Sequence, residues 1–137
     1  ELLNEYQGDL RDIVYQRCRY IIDENKRVAD ACEALTNSNL RLLGELMYAS
    51  HSGLSNEYGV SCEELDYLVE LSKKHSEIIG SRMMGGGFGG CTINLIESGN
   101  SESVIREICS KFNTRFGNYP KTYEVNTSDG SSEIHYE

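Results

Sequence analysis

The sequence predicts an α+β domain: a largely antiparallel sheet covered by helices on one face. Three observations lead there. Helical periodicity dominates the first half of the chain. Two β-rich stretches, 78–84 and 92–96, flank a run in which five of the six residues from Gly85 to Gly90 are glycine. A further amphipathic stretch and alternating sequence follow, so helices come first and then strands with one helix between them, the order of an α+β fold. The 137 residues suit a single domain, 1–137, able to bury roughly two thirds of its unfolded surface.

The first helix is expected from Asp9 to about Leu35. Leu10, Ile13, Val14, Cys18, Ile21, Ile22, Val28, Ala29, Cys32 and Leu35 recur at three-four spacing, which predicts that this stripe faces inward. Asp9 is the expected N-cap, and Arg17, Arg19, Glu24, Lys26 and Arg27 form the expected solvated face. After the polar break 36–39, Ser38 or Asn39 caps a second helix carrying Leu40, Leu42, Leu43, Leu46 and Met47 and fading near Gly53. Ser61-Cys62-Glu63-Glu64 reads as a capping box, in which Ser and Glu side chains each satisfy a backbone N–H. It starts a third helix with Leu65, Leu68, Val69 and Leu71 inward, and Lys73, Lys74 and His75 in its last turn, where positive charge suits the dipole.

The glycine run is the least ordinary stretch. Each glycine loses extra backbone entropy on folding, so the run makes sense where the backbone takes positive φ or approaches another group closely. A linker would be hydrophilic and Gly/Ser-rich; this run holds Phe88 and lies between Arg82-Met83-Met84 and Cys91-Thr92-Ile93. The expected unit is strand, glycine loop, strand. A dinucleotide loop opens a helix and a Walker loop ends in Lys-Ser/Thr, whereas this one ends Gly90-Cys91-Thr92 before a strand. Ser101 then caps a helix with Val104, Ile105, Ile108, Cys109 and Phe112 inward, stopped at Gly117-Asn118-Tyr119-Pro120. A strand is expected at 121–126, a turn at Asp129-Gly130 and a short returning strand at 131–136.

Charge and cysteine usage narrow the function classes. Thirteen Lys+Arg against 22 Asp+Glu give −9, a balance that repels nucleic acid and anionic membrane. No apolar run approaches bilayer-spanning length, and the start reads as no signal peptide. The five cysteines include no Cys-x-x-Cys pair, so they are expected as small buried apolar residues in a reducing cytoplasm rather than a zinc site or disulfide framework. His51 and Asp66 are the candidate catalytic side chains outside the loop. His51 has no acidic partner at helical spacing, so a hydrogen-bonded structural role is expected for it, and a surface or inter-helix hydrogen-bonding role for Asp66. Helix-like sequence starts at once after Glu1 without an initiator methionine, so the chain is expected to be cut from something longer.

Gly80-Ser81-Arg82-Met83-x-Gly85-Gly86-Gly87-Phe88-Gly89-Gly90-Cys91-Thr92 closely resembles the third conserved motif of galactokinases, in the GHMP small-molecule kinase family. Three further stretches resemble them: Arg17-Cys18-Arg19-Tyr20-Ile21-Ile22-x-Glu24-Asn25-x-Arg27-Val28, in a pattern with His where this chain has Tyr20; Leu43-Gly44-Glu45-Leu46-Met47-x-x-Ser50-His51-x-x-Leu54; and Val60-Ser61-Cys62-x-Glu64-Leu65-Asp66-x-Leu68-Val69. Near the end the pattern's Gly-Ala is replaced by Gly130-Ser131.

The resemblance implies a ferredoxin-like GHMP kinase C-terminal domain. It implies an enzyme that transfers the γ-phosphoryl group of ATP, with Mg2+, to the C1 hydroxyl of galactose. The family's sugar-binding signature, Ser-rich phosphate loop and catalytic aspartate lie in an N-terminal domain and have no counterpart here. That missing domain is the expected partner, and this chain alone is expected to be inactive and to bind neither ATP nor Mg2+. No catalytic residue and no metal ligand is assigned. The loop residues Arg82, Met83, Gly85, Gly86, Gly87, Phe88, Gly89 and Gly90 are expected beside substrate or nucleotide, with the glycines serving approach by the missing domain rather than packing within this one. The alternatives are a sugar-sensing or effector-binding module and a kinase for another sugar, such as N-acetylgalactosamine.

Overall fold

The computed structural model describes residues 2–99, 101–130 and 133. A short helix α1 (Leu2–Glu5) leads into the long helix α2 (Asp12–Thr36). Helix α3 (Leu40–Gly53) passes directly into a π-helical turn, Leu54–Tyr58, which Gly59 ends in the left-handed conformation. Helix α4 (Glu63–Ser72), strands β1 (Ile78–Met84) and β2 (Cys91–Ile96), and helix α5 (Ser101–Phe116) complete the order. The strands form one antiparallel hairpin, with Met84 opposite Cys91 and Arg82 opposite Ile93, so residues 85–90 are the hairpin loop. Helices α3 and α4 pack on this hairpin, chiefly on β1, and α2 packs outside α3. This is the expected α+β arrangement with strand, glycine loop, strand at its centre.

Close approach of α3 to β1 comes from paired glycines. A Cβ on Gly44 would stand 1.9 Å from the Ile79 carbonyl oxygen, and one on Gly80 would stand 2.7 Å from the Gly44 Cα. The core gathers there: Leu65, Val69 and Leu71 of α4, Ile78 and Met83 of β1, and Val104 and Phe112 of α5 are buried. Asn39 caps α3 through its side chain, which accepts from the Leu42 N–H at 3.1 Å. Gly117 ends α5 at φ +76°, a C-terminal stop that glycine permits without strain.

Several expectations are corrected. Helix α2 starts at Asp12 rather than Asp9, because the Asp9 and Leu10 N–H groups turn back to the Tyr6 carbonyl. The inward stripe of α2 is Tyr20, Glu24, Arg27, Ala31 and Ala34, whereas Ile13, Ile21, Ile22, Val28 and Leu35 are exposed. Glu24 and Arg27, expected in solvent, are paired side chains only 18% exposed. The capping box does not form: Ser61 gives its hydroxyl to Asp66, and Cys62 becomes the N-cap without a side-chain bond. That shift of one residue takes Glu64 out of capping register. Lys73, Lys74 and His75 lie beyond the last turn of α4, which ends at Ser72.

The cysteines are all free, and none is buried; Cys18, Cys32 and Cys91 are exposed. Residues 121–126 form no strand. Tyr123 and Val125 alternate in sequence but are both exposed, and an alternating pattern becomes a strand only where an edge pairs it and a face buries it. No turn forms at Asp129-Gly130. The expected strand at 131–136 lies outside the described residues.

Candidate functional site

The glycine hairpin is built from its ends inward. At its entry the Met83 side chain is fully buried, and its N–H donates to His51 Nδ1 at 3.2 Å. Arg82, the preceding residue, points its guanidinium toward α2: its Nη1 lies 3.7 Å from Glu24 Oε1, and its Nε donates to the Met83 carbonyl at 3.0 Å. Glu24 also accepts from the Ser50 hydroxyl at 2.5 Å and pairs with Arg27. One carboxylate therefore joins α2, α3 and β1 just below the loop.

Within the loop, Gly85, Gly87, Gly89 and Gly90 all have positive φ, and so does Phe88, at +57°. Left-handed conformations are strained for a bulky residue and concentrate where other contacts enforce them. The enforcing contact is a backbone one: the Phe88 N–H donates to the Val60 carbonyl at 2.7 Å. The ring itself is 79% exposed, so Phe88 anchors the loop through its amide and leaves its side chain outside. Gly87 lies against the same carbonyl, and a Cβ there would stand 2.3 Å from Val60 oxygen. This glycine serves packing within the chain, contrary to the expectation for the run as a whole. A Cβ on Gly85, Gly86 or Gly89 would meet no atom of the described residues within 4 Å.

His51 and Asp66, kept apart by sequence, meet in space. Asp66 Oδ1 lies 3.2 Å from His51 Nε2 and accepts from the Ser61 hydroxyl at 2.5 Å, while Oδ2 accepts from the Ser55 hydroxyl at 2.9 Å. Because His51 Nδ1 accepts from Met83, the proton of the neutral ring sits on Nε2 and points to Asp66. Burial holds the His51 pKa below the ordinary histidine value; Asp66 pulls it up, and Lys73 and Arg82 push it down. The histidine is thus a buried structural hydrogen-bonder, as expected, but with an acid from another helix.

Tyr20 is a residue whose place sequence reasoning missed. It is buried against Gly53, where a Cβ would stand 2.6 Å from the ring, and its ring lies 5.2 Å from that of Tyr58. Burial, then the Glu24 charge, raises its hydroxyl pKa, with Ser50, Arg82 and Arg27 opposing. The only signal in the sequence was its three- and four-residue spacing to Glu24, Arg27, Ala31 and Ala34, hidden because two of those residues are charged.

Residues 9–114 match the family described as GHMP kinases C terminal. This chain belongs to the GHMP kinase family, as a C-terminal domain. Among relatives of this GHMP kinase domain, a galactokinase of Thermosipho africanus is 40% identical over 87% of the chain, which covers 34% of that protein. A galactokinase of Clostridium acetobutylicum is 37% identical over 98% of the chain, which covers 36% of it. The crystal structure of Lactococcus lactis galactokinase complexed with galactose superposes at TM-score 0.78 and 31% identity, over 85% of this chain and 31% of that one. The GHMP kinase domain thus spans about a third of the length of these relatives. No helix among its described residues is long and apolar enough to cross a membrane.

Proposed function

We propose that this chain is the C-terminal part of a galactokinase and that its glycine hairpin braces the cleft in which ATP phosphorylates the C1 hydroxyl of galactose. The observation that carries the reading is the outer side of that hairpin. Gly86 has open space where a side chain would stand, and Phe88 exposes an aromatic ring in a strained conformation. Both occur in a chain that aligns with galactokinases along almost its whole length. Nothing within the described residues requires glycine at 86, so the requirement belongs to what docks there: the remainder of the enzyme or its substrates. The exposed apolar stripe of α2 is assigned to the same remainder.

Phosphoryl transfer is chiefly positioning and charge stabilisation. This domain contributes position: Gly85, Gly86, Phe88, Gly89 and Gly90 stand at the open side of the loop, while Arg82, Met83 and Gly87 fasten it from below. ATP and magnesium are assigned to the remainder of the enzyme in a cytoplasmic setting. Among the described residues no three or more His, Cys, Asp or Glu side chains stand together as metal ligands.

A coupled kinase assay tests the reading. The complete enzyme should phosphorylate galactose, and the 137-residue chain alone should show no galactose-dependent ATP turnover. Sugar binding by the complete protein without turnover would make it a sensor. Preference for N-acetylgalactosamine would make it a different sugar kinase, and turnover by the chain alone would refute its dependence on a second domain.

A further inference from the structure

We infer that Asp66 is a positioning residue for the glycine loop, holding it at two points by two separate routes. The first route runs from Asp66 Oδ1 to His51 Nε2, through the imidazole, and from His51 Nδ1 to the Met83 N–H at the loop's entry. The second runs from the same oxygen to the Ser61 hydroxyl, along one peptide to the Val60 carbonyl, and from there to the Phe88 N–H at the loop's middle. The other oxygen holds Ser55 in the π-helical turn, the segment that delivers residues 59–62 to the loop.

Each contact is of a kind that transmits position. A carboxylate accepts up to four hydrogen bonds, and bonds to a charged acceptor are about twice as strong as neutral ones. Here two hydroxyl donors and the His51 ring, from three segments, converge on one side chain. Ser61 gives up the ordinary N-capping role at α4 to donate to Asp66, so the carboxylate takes precedence over the local cap. The imidazole can bridge only in one protonation state, with Nδ1 bare and Nε2 protonated; the Asp66 carboxylate, 3.2 Å from Nε2, favours that state. The two tethers meet a loop whose glycines would otherwise leave its path undetermined. The loop's use in phosphoryl transfer rests on the galactokinase reading above; its positioning by Asp66 does not.

Amide hydrogen exchange on the 137-residue chain tests the inference without any assay of activity. Asp66→Ala should lower protection at both Met83 and Phe88 by about tenfold or more, with the amides of α2 and α5 unchanged. Ser61→Ala should loosen Phe88 and spare Met83, and His51→Phe should loosen Met83 and spare Phe88. Combining Ser61→Ala with Asp66→Ala should add nothing at Phe88 beyond Asp66→Ala alone, the non-additivity of a shared route. Asp66→Glu, which keeps the charge, should restore part of the protection. If Asp66→Ala fails to fold, the two single-route variants decide the matter. Unchanged exchange at Phe88 in Ser61→Ala, or uniform loosening of every helix in the variants that fold, overturns the inference. In the complete kinase, Asp66→Asn should lower kcat more than it raises KM for galactose; intact exchange effects with unchanged kcat would leave the positioning standing and count against the kinase role of the loop.

Discussion

His51 shows how one buried residue makes the domain sensitive to pH. Its ring accepts from Met83 and faces Asp66, and burial lowers its pKa in the folded state. A histidine with a lowered folded pKa binds fewer protons folded than unfolded, so its contribution to stability is present above the unfolded value, about 6.5, and is lost as pH falls through that value toward the folded one. Protonation also removes the Nδ1 lone pair that Met83 uses. The domain should therefore unfold more readily as pH drops below about 6.5, and His51→Gln should flatten that part of the profile. Denaturant titrations of both proteins across this range check it; equal pH slopes would contradict it. The histidine's role as a hydrogen-bonded residue was legible, because buried polar groups are satisfied. Its partner was not, because Asp66 comes from a helix fifteen residues on and only the fold brings the two together.

At the scale of elements, the hairpin and helices α4 and α5 were legible from alternation and spacing, and the end of α5 from Gly117, but the start signals misplaced both helices by a residue or two: Cys62 rather than Ser61 caps α4, and Ser101 lies inside α5. The face of α2 was not. Hydrophobic spacing marks the stripe that avoids water, but the face against α3 is set by close approach and polar pairing: Tyr20 over Gly53, and Glu24 with Arg27, Ser50 and Arg82. The apolar stripe stays on the outside in the chain as it stands, with Ile22 54% exposed, while Ala34 is 1% exposed. Ile22→Ser in this chain should then change stability by no more than about 0.5 kcal/mol. Ala34→Leu should cost about 1–3 kcal/mol by overpacking. Chemical denaturation of the two variants checks the assignment, and a larger loss for Ile22→Ser would return the inward face to the isoleucine stripe. Segment 121–126, which pairs with no strand among the described residues, teaches the same lesson for strands: periodicity states a preference, and a pairing edge decides.

At the scale of the whole molecule, the glycine loop's proposed place is at a boundary with the rest of a longer enzyme. The resemblance was legible in four spaced motifs, and the family match bears it out over most of the chain. The division of labour among the glycines was not legible, because identical letters hide different surroundings: Gly87 meets the Val60 carbonyl, and Gly86 meets open space. Substituting valine at these neighbours separates internal packing from external contact. Gly87→Val should destabilise the isolated chain by about 1–3 kcal/mol or more through strained φ and a blocked approach.

Gly86→Val should leave the isolated chain's unfolding temperature unchanged, because no atom of the described residues lies within 4 Å of where its Cβ would stand. The most direct measurement is steady-state turnover of galactose by the complete enzyme carrying Gly86→Val, taken beside thermal unfolding of the same variant of the isolated chain. A loss of kcat of about a hundredfold, the scale set by small misplacements at a reacting site, with unfolding unaltered, is the predicted result. Wild-type turnover in that variant would contradict the account and reduce the loop to a connection between two strands.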